Sequence, residues 1–363
     1  MRINGLAFCK IWSVTLLLFG IVSCNKVDPV YTPTPYNIVI PKYFPTALNI
    51  PDENPMTEEG IALGKRLFFD TYLCGYEGDN ADSLLSCASC HVPNCGFDLG
   101  ANNPRIVDGK ARGLYGITPH NVLPLCNLVF NQEGYLWNGA VTGNRNIEDI
   151  VLAAITDRNE LGATQTQVVA RLQADATYPE MFRKAFGTEG ITMERVQKAV
   201  AQYVRTLISS DSKFDQYLRG ETQLTDAELR GYVLFTTEEG ADCFHCHGGA
   251  GTPLFTTNLF YNNALDANPT DNNDRFAVTG NSQDRGAFRA PTLRNITLTA
   301  PYMHDGRFTT LDEVLNFYNS ELQYSPYAHP LMHKLNEGGA HLTPSQIADL
   351  KAFLETLTEV RSE

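Results

Sequence analysis

The chain has 363 residues, of which 43% are apolar and 19% charged, and its net charge is −13. That length holds two domains of ordinary size, each with a core of its own. The acidic balance, without a lysine or arginine run, excludes nucleic-acid backbones as partners and is compatible with a basic protein.

Arg2 and Lys10 precede the apolar run IWSVTLLLFGIV, which leads through Ser23 to Cys24. This is the layout of an export signal over residues 1–23, and the run is too short for a permanent membrane span. The ending IVSC resembles a bacterial lipobox. Cys24 is therefore expected to carry lipid as the first mature residue, anchoring the protein in the periplasm or cell envelope. Residues 24–45 are proline-rich and lack helical periodicity, which suits an extended tether.

PMTEEGIALGKRLF then opens with a capping threonine and early acids and predicts a helix. Residues 86–95 read SCASCHVPNC, and the stretch from 92 to 150, rich in Gly, Asn and Pro, predicts long structured loops. ITMERVQKAVAQYVRTLIS, residues 191–209, predicts an amphipathic helix that closes the first unit. The order repeats. QLTDAELRGYVLF predicts a second capped helix, ADCFHCHGG at 241–249 brings a second cysteine motif, and 248–310 is a second loop region. LTPSQIADLKAFLETLTE, residues 342–359, predicts the second closing helix, with Thr343 as cap and Pro344 at its first position. Strand-like alternation is scarce, so the expected class is mainly α, in two domains at 46–210 and 211–363 with long loops.

Both cysteine motifs are C-x-x-C-H: Cys87, Cys90 and His91 in the first, and Cys243, Cys246 and His247 in the second. A zinc site does not need histidine directly after each second cysteine, and a redox dithiol needs only one pair. Attachment of c-type haem explains all five positions of each motif. The two thiols bond one porphyrin edge, and the adjacent histidine faces the iron as proximal ligand. The expectation is two covalent haems, one in each cytochrome c-like domain. Cys74, Cys95 and Cys126 remain. Cys74 and Cys95 could form a disulfide bracketing the first motif, with Cys126 buried and free, a pairing the sequence does not fix.

With these elements in order, the chain resembles the bacterial di-haem cytochrome c peroxidases, a family that includes the MauG-like enzymes maturing a tryptophan-derived cofactor. The resemblance runs from about Ile50 to Leu357, through LFFD, SCASCH, PHNVLPLCNLVFNQEGYLWNG, CFHCH, FRAPTLRNITLTAPYMHDGRFTTLDEVLNFYN and ADLKAFLETLT. It implies that the first haem meets peroxide while the second receives electrons, and that Trp137 lies between them. It makes Glu160, in DRNELG, the distal acid–base group. Ile150 and Ala154 stand where the family has glutamine and proline, which makes the distal wall more apolar. His120 stands where relatives carry arginine, and no histidine lies between His91 and His120, so the first haem is expected to be five-coordinate.

On the second haem, the position fourteen residues after His304 is Tyr318, as in the cofactor-maturing branch, where peroxidases of the common type have methionine. Tyrosinate lowers the potential. Met332 is the competing sixth ligand and Met303 a packing residue. The resemblance also implies a calcium ion on the Asn121 side chain and the carbonyls of Thr299 and Pro301. The leading reading is reduction of hydrogen peroxide to water by electrons from a small donor protein, a cytochrome c or cupredoxin, with a homodimer possible. The alternatives are a MauG-like oxidase of protein side chains and a dihaem electron carrier without peroxide turnover.

Overall fold

The computed structural model describes residues 31–78, 83–142, 146–249 and 251–359. Among the described residues, those from Thr32 onward form one compact unit. The expected signal and Cys24 lie outside the described residues. Among the described residues, no helix is long and apolar enough to cross a membrane.

The class is mainly α, as expected. In chain order the helices are α1 (Glu58–Phe69), α2 (Asn146–Thr156), α3 (Gln165–Ala174), α4 (Tyr178–Phe186), α5 (Met193–Arg205) and α6 (Lys213–Arg219). They continue as α7 (Asp226–Phe235), α8 (Phe244–His247), α9 (Arg275–Thr279), α10 (Leu311–Ser320) and α11 (Pro344–Glu355). The strands form two short antiparallel ribbons, Ile106–Val107 with Lys110–Ala111 and Phe260–Tyr261 with Phe288–Arg289.

The predicted helix starts are set by side-chain caps. The Thr57 hydroxyl accepts the Gly60 N–H at 3.0 Å and starts α1. Thr225 with Glu228 and Thr343 with Gln346 form reciprocal capping boxes on α7 and α11. The first closing helix is shorter than its predicted 191–209 because Thr192, rather than Ile191, is the cap and Arg205 ends the regular turns.

The repeat visible in the sequence is a repeat of one helix crossing. α1 packs on α5, and α7 packs on α11. A β-carbon on Gly64 would lie 1.9 Å from the Ala199 carbonyl oxygen, and one on Gly231 would lie 1.9 Å from the Asp349 carbonyl oxygen. Each glycine therefore lets two helix backbones touch. Alanine at either position would force them apart, and the obstruction is backbone that cannot rotate away. We expect Gly64→Ala and Gly231→Ala each to destabilise the fold by about 1–3 kcal/mol, outweighing the roughly 1 kcal/mol that alanine gains in a helix. Denaturant midpoints of the haem-loaded protein check this. Unchanged or raised midpoints would refute the close-crossing account.

The larger of two main core clusters gathers residues from Leu63 to Leu207, and the other gathers residues from Phe214 to Leu357. A smaller cluster joins Phe44 to Val129, Phe130 and Leu254. Part of the expected tether belongs to it. The Tyr36 N–H donates to the Met56 carbonyl at 3.0 Å, and the Phe44 ring meets Phe130 edge-on at 5.3 Å. The stretch from 34 to 44 is thus docked by its own apolar side chains, Ile38, Ile40 and Phe44.

The Cys74–Cys95 pairing that the sequence left open does not form, since neither thiol is in a disulfide. Cys74 is buried in the core with its thiol toward the Ser83 carbonyl, whereas Cys95 sits beside Gly100 at the end of a separate turn. Cys126 is buried and donates to the Gly96 carbonyl at 3.3 Å.

Candidate active site

Each CxxCH motif is wound into a helical turn that ends at its histidine. The His91 N–H donates to the Cys87 carbonyl at 2.9 Å and the His247 N–H to the Cys243 carbonyl at 3.0 Å. This winding puts both thiols of a motif on one side with the imidazole beside them. The His91 ring holds the Phe97 carbonyl through Nδ1 at 3.0 Å, and the His247 ring holds the Pro291 carbonyl through Nδ1 at 3.1 Å. A carbonyl only accepts, so each Nδ1 carries the proton and each Nε2 keeps its lone pair. Burial pushes both imidazoles down to about 4, so both are neutral at physiological pH and available to a metal.

A cleft of about 1540 Å³, open to solvent, lies over the second motif. Cys243, Cys246 and His247 line it, with Trp137, Tyr318 and Met332 around them. It reaches Asp98, the residue after the one that holds His91. Its walls are mostly apolar, from Phe235, Leu293, Leu315 and Leu354. Arg289 also lines it, and its buried Nε has no hydrogen-bond partner, while Nη1 donates to Asn258 at 3.0 Å. Burial pushes this guanidinium down to about 10. An orphaned cationic donor beside two thiols, an imidazole and an apolar cleft fits a porphyrin with anionic carboxylates. Nothing in the sequence singled Arg289 out.

Glu160 lies in the turn that follows α2. Its N–H donates to the Asp157 carbonyl at 3.0 Å, and its own carbonyl accepts the Leu114 N–H at 2.7 Å. Gly113 makes that second strand of chain fit, since a β-carbon there would lie 1.9 Å from the Asn159 carbonyl oxygen. The carboxyl is pushed up to about 7, first by burial and then by the charge of Asp157. Burial raises the Cys87 and Cys90 thiols, and the nearby Glu160 charge adds to the shift, which puts Glu160 in the neighbourhood of the first motif. Ile150 packs on the first core cluster, and the Ala154 carbonyl accepts the Leu161 N–H at 3.2 Å. These two residues therefore build the helix and turn that carry Glu160.

Trp137 is buried, and its indole N–H donates to the Asn121 carbonyl at 2.8 Å. The Asn121 N–H in turn donates to the His304 carbonyl at 2.7 Å. Phe288 stacks on His304 at 3.7 Å and meets Trp137 edge-on at 6.5 Å. His120 belongs to this same group: its Nε2 lies 2.9 Å from Asp271, which also approaches His304 at 3.8 Å. His120 is thus engaged by an acid from the second loop region. Asp271 was not legible as its partner, because 151 residues separate them.

Tyr318, on α10, points into the cleft, where its hydroxyl accepts the Asn263 side-chain N–H at 2.9 Å. Burial raises its phenol well above the ordinary range, and the Asn263 donor opposes that shift. Met303 and Met332 line the same cleft, with Met303 sulfur 3.7 Å from Asn263. Asn121 and Pro301 are brought into direct contact, the Asn121 amide nitrogen donating to the Pro301 carbonyl at 2.6 Å, and Thr299 lines the cleft beside them.

Comparison with known proteins agrees with this geometry. The family model described as di-haem cytochrome c peroxidase matches residues 58–223. A methylamine utilization protein MauG of Methylorubrum extorquens is 32% identical over 86% of this chain and 82% of that protein. A cytochrome c551 peroxidase of Nitrosomonas europaea is 32% identical over 84% of this chain and 81% of its own length. The crystal structure of a MauG-like protein associated with microbial copper homeostasis superposes with a TM-score of 0.74 at 35% identity, covering 89% of this chain and 96% of that one. The paired CxxCH turns, their carbonyl-held histidines and these relatives together make the chain a member of the di-haem cytochrome c peroxidase family.

Proposed function

We propose that the protein reduces hydrogen peroxide to water with electrons from a small redox protein. The observation that carries this reading is Glu160, a carboxyl poised at about 7 and near the first CxxCH motif. Haem bound through Cys87, Cys90 and His91 would supply the iron that binds peroxide and takes up electrons. Cleaving the O–O bond requires a proton to leave the inner oxygen and arrive on the outer one. Glu160 accepts that proton as a carboxylate and returns it as an acid, and a group near neutral does both well. Gly113 and Asp157 hold the turn in place while it does so.

In this reading the domain at 46–210 carries the peroxidatic haem. The domain at 211–363 would carry the electron-receiving haem, held by Cys243, Cys246 and His247, with the unpartnered Arg289 Nε available to its carboxylates. Trp137, fixed by its hydrogen bond to Asn121, is the aromatic step between the two. Tyr318 would hold the second iron as its sixth ligand, favoured over Met332 by the Asn263 donor that would steady an anionic oxygen. Calcium would be held by the Asn121 side-chain oxygen with the Pro301 and Thr299 carbonyls, an amide that here donates through its nitrogen to Pro301 and accepts the Val122 N–H through its oxygen. The donor is a cytochrome c or cupredoxin, and the site of work is the periplasm, with the protein tethered through lipid on Cys24 and able to form a homodimer.

The test is peroxide consumption by the purified dihaem protein with a reduced donor. Turnover that depends on the donor supports the reading, and none from fully loaded protein overturns it. Oxidation of a partner protein's side chains is the second reading, which Tyr318 in the cleft favours. Replacing Tyr318 by methionine is expected to raise the potential of the second haem by tens to hundreds of millivolts, within the roughly 0.8 V that axial ligands command. Spectroelectrochemical titration reads it, and an unmoved potential would remove Tyr318 from the iron.

A further inference from the structure

Two histidines and a glutamate beside the second motif, of which His333 lines the cleft, have no part in the peroxidase reading. Glu238, His245 and His333 each offer one ligating atom, and these atoms lie within 4.8 Å of one another. His245 is a variable position inside the second CxxCH motif, and His333 follows Met332 in the loop across the cleft. The His245 Nε2 lies 3.6 Å from a Glu238 carboxylate oxygen, and the two imidazoles meet edge-on at 5.0 Å. Glu238 and His333 are open to solvent, with side-chain exposures of 62% and 40%, so an ion has an entry path.

A fourth residue gives the cluster its character. Asp242 is buried, with a side-chain exposure of 5%, and stands beneath both rings. One of its oxygens takes the His245 Nδ1 at 2.6 Å and the other takes the His333 Nδ1 at 3.0 Å. The His245 Nδ1–H donates to this carboxylate, which leaves the His245 Nε2 lone pair unprotonated, and the second carboxylate oxygen keeps the His333 ring close beside it. This is the backing arrangement by which proteins hold histidines as metal ligands, fixing tautomer and ring orientation together. Asp242 adopts a left-handed backbone with φ +58°, so the chain holds this residue in a conformation few side chains take.

We propose that Glu238, His245 and His333 bind a late first-row divalent cation, Zn²⁺ or Cu²⁺, with Asp242 as the positioning residue behind both imidazoles. Two imidazoles and one carboxylate suit these ions and leave one position to water. Ligands about 2.0–2.2 Å from a tetrahedral ion lie about 3.3–3.6 Å apart, so His245 and Glu238 already stand near that spacing at 3.6 Å, and the exposed Glu238 and His333 side chains close the remaining distances. A bound ion would tie the loop carrying Met332 to the turn that carries Cys243 and Cys246.

The test uses the protein with both haems attached, titrated with CuSO₄ and separately with ZnCl₂. We expect one equivalent of Cu²⁺ with an electron paramagnetic resonance signal split by two imidazole nitrogens. His333→Gln and Glu238→Gln should each weaken binding tenfold or more, and Asp242→Asn by about 10–100-fold. His329→Gln, which alters a neighbouring histidine outside the cluster, should bind as the parent does. Haem absorbance and circular dichroism confirm that each variant is folded and loaded. The proposal is overturned if the parent takes up no stoichiometric ion, or if the His333→Gln, Glu238→Gln double variant binds as tightly as the parent.

Discussion

Glu160→Gln is expected to lower peroxide turnover by about a hundredfold while leaving both haems attached. Glutamine keeps the size and polarity of the side chain and removes only its ability to exchange a proton. The pH dependence gives an independent check. Burial raises the carboxyl to about 7, so it is protonated below that pH and cannot take the proton from the inner peroxide oxygen. Turnover should therefore fall as pH drops through about 7, and this limb should be missing from the residual activity of the variant. The sign for stability is the opposite one. A carboxyl whose folded pKa lies above its unfolded value costs the fold stability once pH rises through that range. The variant should consequently unfold no more easily than the parent at pH 8, and more activity from a less stable variant would contradict both halves of the argument.

The largest loss of stability is expected from Glu148→Ala. Glu148 on α2 and Arg205 at the end of α5 form a two-pronged pair, both bonds 2.8 Å, with side-chain exposures of 1% and 0%. Asn54 donates to the same carboxylate at 2.6 Å, and the Arg205 Nε donates to the Asn49 carbonyl at 2.6 Å. Burial alone would push Glu148 up, but the Arg205 guanidinium prevails and holds it below the ordinary carboxylate range. Removing the carboxylate strands a buried cation and costs about 3–5 kcal/mol. Thermal unfolding of the loaded protein reads the loss. Because the folded pKa is lowered, the pair's contribution is intact at neutral pH and is lost as pH falls through the acid range. A Glu148→Ala protein as stable as its parent would mean that water or another residue takes over Arg205.

What the sequence made legible was local. Thr57, Thr225 and Thr343 cap the helices they were expected to cap, because a cap and its helix lie within four residues of each other. The CxxCH turns were legible for the same reason. The site beyond them is assembled from distant residues whose types are common. Arg289 is one of many arginines until its Nε is seen without a partner, and Asn263 becomes notable only beneath the Tyr318 hydroxyl. Asp242 reads as a loop acid until both rings rest on it. The pairing of Cys74 with Cys95 stayed open for a related reason, since nearness in sequence to one motif says nothing of where their side chains point. Phe44 and its neighbours were masked by prolines, which signal an extended chain without saying whether that chain is docked.

The two histidine-to-carbonyl bonds, at 3.0 and 3.1 Å, leave the halves of the molecule alike on one side. Neither imidazole leans on a carboxylate, which would lend it anionic character and push electron density toward a metal. Both present the same modest donor strength. In the proposed reading, a division of labour between the halves would then arise on the opposite faces, from the raised Glu160 carboxyl near one motif and the buried Tyr318 phenol near the other. A change of chemistry would then act through those far faces, with the two like histidine turns left as they are.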